Sequence, residues 1–178
     1  MLMPLGLLSQ GGGAGGAGAF ELIQTAYGTG SSGTISFTSI PATYTHLQLR
    51  ITARTDGSGA STLMRFNSDS GSNYVLHYLY SGGSGGSLSQ TGIGANVTDS
   101  AASTGMYSHL IVDLLDYANT NKNKTTRASD SYQAATSYAF MYSGLWLNTA
   151  AISTLTFAAV SGNFTTASRF SLYGIRGA

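Results

Sequence analysis

The chain of 178 residues is long enough for one domain with a sizeable core, and its 42% of apolar residues excludes a disordered tail. Charged residues make up only 8%, against roughly 25% in ordinary domains. The net charge of +1 and the scattered cations exclude the basic stripe that nucleic acid binding needs, and the absence of cysteine excludes disulfides and thiolate metal sites.

The first 19 residues combine a short apolar stretch with a tether rich in glycine and alanine. A cleaved signal peptide is disfavoured, because no Lys or Arg precedes the "AGA" at 17–19 and the apolar part contains proline. We therefore expect an extended docking arm, 1–19, followed by a single folded domain, 20–178. The arm residues expected to bind a partner are Met1, Leu2, Met3, Pro4, Leu5, Leu7 and Leu8.

The net free energy of docking one such arm is expected to be close to zero. Burial of each large apolar side chain contributes roughly 1.5–3 kcal/mol, while ordering the backbone costs roughly 1–2 kcal/mol per residue. Several arms of one oligomer gain from effective concentration if the surface that they bind is repetitive. The arm therefore predicts a homo-oligomer on a repetitive surface.

From Phe20 onward, apolar and polar residues alternate with a period of two, which is typical of half-buried antiparallel strands. The clearest run is 46–54, in which Leu47, Leu49 and Ile51 share one face. The run "SHLIVDLLDYA", 108–118, is apolar on both faces and predicts a central strand buried on both sides. Shorter alternating pairs are Ile35 and Phe37, Met64 and Phe66, Leu145 and Leu147, Leu155 and Phe157, and Phe170 and Leu172.

Turn-rich stretches separate these runs, among them "TDGSGAS", "NSDSGSN", "SGGSGGS", "ANTNKNK" and "VSGN". Short strands punctuated by glycine, without a helical period, predict an all-β fold. We expect an antiparallel β-sandwich, jelly-roll-like, with "SGGSGGS" and "ANTNKNK" as exposed loop tips. No apolar run approaches the ~20 residues of a membrane span, so no membrane partner is expected.

Several patterns match catalytic or cofactor motifs but lack the context that the chemistry needs. "GTGSSG" at 28–33 leads into strand-like "TISFTSIP" instead of a helix, and "GGSGG" at 82–86 lacks the strand and helix of a nucleophile elbow. The three histidines, His46, His77 and His109, have no ligand spacing. We therefore expect no enzyme, no catalytic residue, no cofactor and no metal.

Asp113 and Asp116 form an apparent carboxylate pair, but a spacing of three on a strand places them on opposite faces. "NSDSGSN", 67–73, places oxygen ligands at alternate positions, as calcium loops do. It holds one carboxylate and lacks the closing bidentate Glu. An Asx-type turn is therefore favoured, and a structural Ca²⁺ stays open as the alternative.

A dense aromatic run follows, and it is the remaining candidate site. It contains Tyr138, Phe140, Tyr142 and Trp146, which are separated by two or four positions. Such residues build sandwich cores, oligomer interfaces and sugar-binding platforms. We expect a core or interface role, with a ligand face as the alternative.

Five strings resemble the small virion proteins encoded in structural modules of tailed bacteriophages: "AFELIQT", "ISFTSIPATYTHLQLRITART", "MRFNSDSGSNY", "DLLDYANTNKNKT" and "SRFSLYGIRG". The resemblance covers most of residues 19–178, and "SIPATYTHLQLR" and "LDYANTNKNKT" are its most specific parts. It implies a structural protein at the surface of the phage particle and carries over no catalytic residue. It does not distinguish head from tail.

Two hypotheses follow. In the first, the chain is a capsid decoration (cement) protein, a trimer by preference, whose arm binds the lattice of the major capsid protein and stabilises the head. In the second, it is a tail or fibre component, an adhesin-like module that contacts host glycans. Both make other virion proteins its partners.

Overall fold

The computed structural model describes residues 19–59, 61–133 and 137–177, and in these residues the chain forms twelve β-strands and no helix. The strands are β1 (Phe20–Tyr27), β2 (Thr34–Phe37), β3 (His46–Ala53), β4 (Ser61–Phe66), β5 (Tyr74–Tyr80), β6 (Gly83–Gln90), β7 (Ile93–Asn96), β8 (Ser108–Leu115), β9 (Lys124–Gln133), β10 (Ser137–Trp146), β11 (Leu155–Ala159) and β12 (Arg169–Ile175).

Two antiparallel sheets share one hydrophobic core. The large sheet has the order β1-β12-β3-β8-β9-β10-β5-β6, and the small sheet has the order β2-β11-β4-β7. Leu49 and Phe170 of the large sheet and Phe37 and Phe157 of the small sheet are fully buried in the same cluster. The predicted all-β, antiparallel, sandwich-like fold is thereby confirmed.

The prediction for 46–54 is confirmed, because Leu47, Leu49 and Ile51 of β3 are buried at 0–1% exposure and pair in register with β8 and β12. The prediction for β8 was wrong in part. The strand is central, but only one face is buried, and Leu115 is 43% exposed on the other. The described strands of the small sheet pack on one face only, which leaves the opposite face of β8 uncovered.

The "SGGSGGS" stretch was predicted as an exposed loop tip, and this was wrong in part, because only Ser81 and Gly82 form the exposed turn and the rest of the stretch is strand. β6 begins at Gly83 and pairs with β5, so that Tyr80 lies opposite Gly83 and Tyr78 opposite Gly85. A Cβ on Gly85 would lie 2.5 Å from the hydroxyl of Tyr78. Gly83 and Gly85 of the edge strand β6 therefore leave room for the large rings of β5.

The core-facing residues of β10 are the even-numbered ones. Tyr142 and Trp146 are buried, whereas Leu145 is half-buried on the other face and Leu147 is 48% exposed beyond the end of the strand. The alternating pair Leu145 and Leu147 therefore does not mark the buried face of this strand. The eight-stranded sheet is also wider than its four-stranded partner, so part of its inner face extends past β7.

Candidate functional site

The four aromatic residues singled out in the sequence lie on one face of β10, at increasing depth. Trp146 is 1% exposed and Tyr142 5% exposed, and both belong to the core. Phe140 and Tyr138 are half-buried, where the large sheet extends past the small one. Of the four, these two retain the accessibility that an interface or a ligand face requires.

Phe140 lies at the centre of an aromatic cluster formed by six rings on β5, β9 and β10. It stacks on Tyr80 at a centroid distance of 5.2 Å and on Tyr142 at 5.4 Å, with interplanar angles of 16° and 10°. Tyr132 and Tyr138 form a further stacked pair at 5.8 Å. The sixth ring, Tyr78, is tilted by 47–56° to its neighbours Tyr80, Phe140 and Tyr142.

A cavity of about 390 Å³ lies between this cluster and the edge of the small sheet. The rings of Tyr78, Tyr80, Phe140 and Tyr142 form one side, and residues of β4 and β7 form the other. We call this cavity the aromatic cleft. Its size falls within the roughly 300–1,000 Å³ that is typical of small-molecule sites.

A buried polar network supports the aromatic cleft. The hydroxyl of Tyr142 donates to Oδ2 of Asp130 at 2.8 Å and accepts from Nδ2 of Asn96 at 2.6 Å. The backbone N–H of Asn96 also donates to Oδ2 of Asp130, at 3.0 Å, while Oδ1 has no partner in the part of the chain that the structure describes. Burial raises the pKa of Asp130 to about 6, because these two hydrogen bonds offset only part of the desolvation.

The outer face of the large sheet carries a second surface of interest. Ile111, Ser129, Met141 and Leu79 lie in one row across β8, β9, β10 and β5. Met141 is 59% exposed and Leu79 61% exposed, and with Leu115 they line a groove of about 700 Å³. We call this surface the outer apolar face. Exposed apolar patches rimmed by polar residues are typical of interaction sites.

The edge strand β1 is also apolar and exposed. Phe20 is 48% exposed and Leu22 52% exposed, and the guanidinium of Arg50 lies 5.2 Å from the ring centroid of Phe20. The carbonyl of Ala19 accepts a 3.1 Å hydrogen bond from the backbone N–H of Arg176. The backbone is therefore hydrogen-bonded to the large sheet from Ala19, the first described residue. The predicted arm residues, 1–8, lie outside the described residues.

The histidines and the paired aspartates are not brought together. His46, His77 and His109 lie on β3, β5 and β8. Asp116 follows β8 in a turn, at φ 50°, where its carboxylate forms an ion pair with Lys122 and its backbone N–H donates to Nδ1 of His46 at 2.9 Å. Asp113, in β8, accepts instead from Nε2 of Gln48 at 2.8 Å.

The "NSDSGSN" loop has the predicted Asx turn, in which Oδ1 of Asp69 accepts from the backbone N–H of Gly71 at 2.8 Å. Oδ2 of the same carboxylate accepts from Nε1 of Trp146 at 2.7 Å. In residues 19–59, 61–133 and 137–177, no three His, Cys, Asp or Glu side chains are grouped as metal ligands. "GTGSSG" leads into strand β2, as predicted.

Sequence reasoning missed Asn96, Asp130, Leu79 and Met141. Asp130 stands in "RASDSYQ", which has the pattern of an exposed strand, and its burial depends on the crossing of β7 over β9. Leu79 and Met141 carried a signal, because each breaks the polar face of an alternating strand. β5 and β10 each present few large apolar residues on this face (Val75 and Leu79, Met141 and Leu145), so the patch becomes apparent only when the sheet is assembled.

No helix among the described residues is long and apolar enough to cross a membrane. Comparison of the chain with protein-family models, with curated proteins and with solved structures finds no match.

Proposed function

We propose that the chain is a structural protein of the tailed-phage virion, and more specifically a capsid decoration protein that binds the capsid lattice. The observation that carries the proposal is the outer apolar face, which copies of the chain would cover in the assembly while the arm contacts the lattice. Leu79, Met141 and Leu115 are 43–61% exposed on a broad sheet face that no described strand covers. Covering such a surface with a permanent partner removes apolar area from water at roughly 25 cal/mol per Å².

The charge of the protein supports the same proposal. With 8% charged residues and a net charge of +1, the surface has little electrostatic protection against association. A protein that resides permanently in an assembly does not need that protection. The phage-like sequence strings supply the kind of assembly, a virion.

The arm, 1–19, is proposed to extend the contact to the capsid or to a neighbouring subunit. It leads into β1, the edge strand of the large sheet, where Phe20 and Leu22 are already exposed. The contact made by an arm would thus continue an apolar edge. We further propose that the protein is a trimer. We also propose that the domain is jelly-roll-like, because the chain crosses repeatedly between the two sheets.

The test is to compare occupancy on phage heads for the full chain and for a chain lacking residues 1–18. Copy number relative to the major capsid protein is measured by quantitative gel electrophoresis of purified particles. We expect the full chain at lattice stoichiometry and the truncated chain folded but absent. Full occupancy by the truncated chain would contradict the role of the arm, and a copy number matching the tail proteins would contradict the decoration role.

A second candidate function is that of a tail or fibre component that contacts host glycans. The aromatic cleft favours it, because partly accessible rings beside polar groups are the composition of many sugar sites. The same gel distinguishes the two candidates by copy number.

A further inference from the structure

The aromatic cleft has a lining without charge. Its side chains come from Ser, Thr, Leu, Tyr, Ala, Asn and Phe, and no Asp, Glu, Lys, Arg or His contributes to the wall. A charged ligand group would be desolvated there without a counter-charge, which is costly. The cleft therefore selects for a neutral ligand.

Asn96 places a donor and an acceptor at the wall of the cleft. One N–H of its side-chain amide is used by the hydroxyl of Tyr142, at 2.6 Å, and the described residues offer no partner to the amide oxygen. The backbone N–H of Asn96 bonds Asp130, which fixes the residue in place. An oriented amide with a free oxygen and a second N–H complements hydroxyl groups, which both donate and accept.

Tyr78 is the ring best placed to present a face to a ligand. Phe140 is already stacked with two rings, those of Tyr80 and Tyr142. Tyr78 stacks on none of its neighbours and extends over the space left by Gly85. An aromatic face beside amide and hydroxyl groups suits a ligand with an apolar C–H face and a polar rim.

We propose that the aromatic cleft binds a neutral oligosaccharide, with the Tyr78 ring against a sugar face and the Asn96 amide bonded to sugar hydroxyls. A lipid chain would leave the amide of Asn96 unpaired, and an acidic glycan would place a charge in a neutral wall. The inference is independent of whether the protein is located on head or tail.

The test is a glycan array of neutral and acidic oligosaccharides, probed with the full chain, followed by calorimetric titration of the best neutral ligand. We expect neutral glycans to be retained in preference to acidic ones. Tyr78→Ala and Asn96→Ala should each weaken binding about tenfold or more. Tyr138→Ala is the matched aromatic control, since Tyr138 belongs to the same cluster but does not line the cleft.

A second pair of variants distinguishes loss of binding from loss of folding. Ser61 is exposed at the mouth of the cleft, so Ser61→Arg should block it without entering the core. Ser36→Arg places the same side chain on an exposed position of β2, at the far edge of the small sheet. We expect Ser61→Arg to abolish binding and Ser36→Arg to retain it. A blank array, a preference for acidic glycans, or equal binding by both arginine variants would overturn the proposal.

Because occupancy on phage heads and glycan binding are separate measurements, either result can fail without the other. A protein that occupies the lattice but retains no glycan refutes the sugar site alone. A protein that retains neutral glycans through Tyr78 but is absent from heads refutes the decoration role alone.

Discussion

The hydroxyl of Tyr142 donates a 2.8 Å hydrogen bond to Oδ2 of Asp130, a carboxylate that is only 5% exposed. Among the described residues, the carboxylate has no cationic partner within 4.0 Å, and its Oδ1 has no hydrogen bond. Burial therefore disfavours its ionised form and raises its pKa to about 6. Through this pair, the protonation of Asp130 is linked to the stability of the fold.

The first prediction is that Asp130→Asn changes the pH dependence of stability. The pKa of Asp130 lies above its ordinary value of 3.8, so its contribution is fully present below pH 3.8 and is lost as pH rises through about 6. At neutral pH the variant should gain up to about 3 kcal/mol in free energy of unfolding, since one pKa unit is about 1.4 kcal/mol. Urea denaturation at a series of pH values measures the difference.

The control for this prediction is Asp113→Asn, which removes one negative charge from the outer face of β8. At neutral pH this control should not raise the free energy of unfolding, because Asp113 accepts a hydrogen bond from Gln48 and lies 3.9 Å from Arg127. Parallel stability curves for the wild type and Asp130→Asn would contradict the assignment of a raised pKa to Asp130.

The second prediction concerns Lys124, which is only 1% exposed. Its Nζ donates to the carbonyls of Asn119, Lys122 and Thr149 at 2.6–2.8 Å, which joins two loops at one end of the sandwich. Lys124→Met should lower the free energy of unfolding by about 2–4 kcal/mol, because buried carbonyls lose their donor. Lys122→Met, an exposed position, is the control and should cost less than about 1 kcal/mol.

The measurement for the lysine variants is chemical denaturation followed by the fluorescence of Trp146, the single tryptophan in the sequence. Similar losses in both variants would mean that the three hydrogen bonds to carbonyls contribute little to stability.

The third prediction concerns Asp69, whose pKa is shifted in the opposite direction to that of Asp130. Its pKa is lowered, first by the hydrogen bond from Trp146 and then by that from Asn73. Its contribution is therefore present above pH 3.8 and is lost as pH falls through the lowered pKa. Asp69→Ala should cost about 1.5–3 kcal/mol at neutral pH, the usual range for hydrogen bonds to a charged group. The difference from the wild type should shrink in acid, and a loss independent of pH would show that the ionised carboxylate is not what stabilises the loop.

The predictability of the fold from sequence depended on whether the signal was local. β3 was predicted because its buried side chains, Leu47 to Ile51, alternate along the strand itself. β6 was not, since glycines carry no alternation, and the reason for them lies in the rings of Tyr78 and Tyr80 on another strand. The edge strand became recognisable only from its pairing.

The candidate sites follow the same rule. The aromatic run of β10 was visible in the sequence, but the depth of Trp146 relative to Tyr138 depends on where the small sheet ends. Asn96 and Asp130, which fix the wall of the aromatic cleft, are 34 positions apart and meet only because β7 crosses β9. Single-strand patterns contain no such information.

The last prediction is that the protein is an oligomer, a trimer by preference, joined through the outer apolar face. Leu79 and Met141 lie opposite each other on β5 and β10 and are about 60% exposed, so copies that cover them bury apolar area. Leu79→Asp with Met141→Asp places charges at the centre of that contact and should yield a folded monomer. Val160→Asp, at an apolar residue 63% exposed elsewhere, should leave the oligomer intact. Light scattering with sedimentation at micromolar concentration measures the mass, and a wild-type monomer there would show that this face does not mediate self-association.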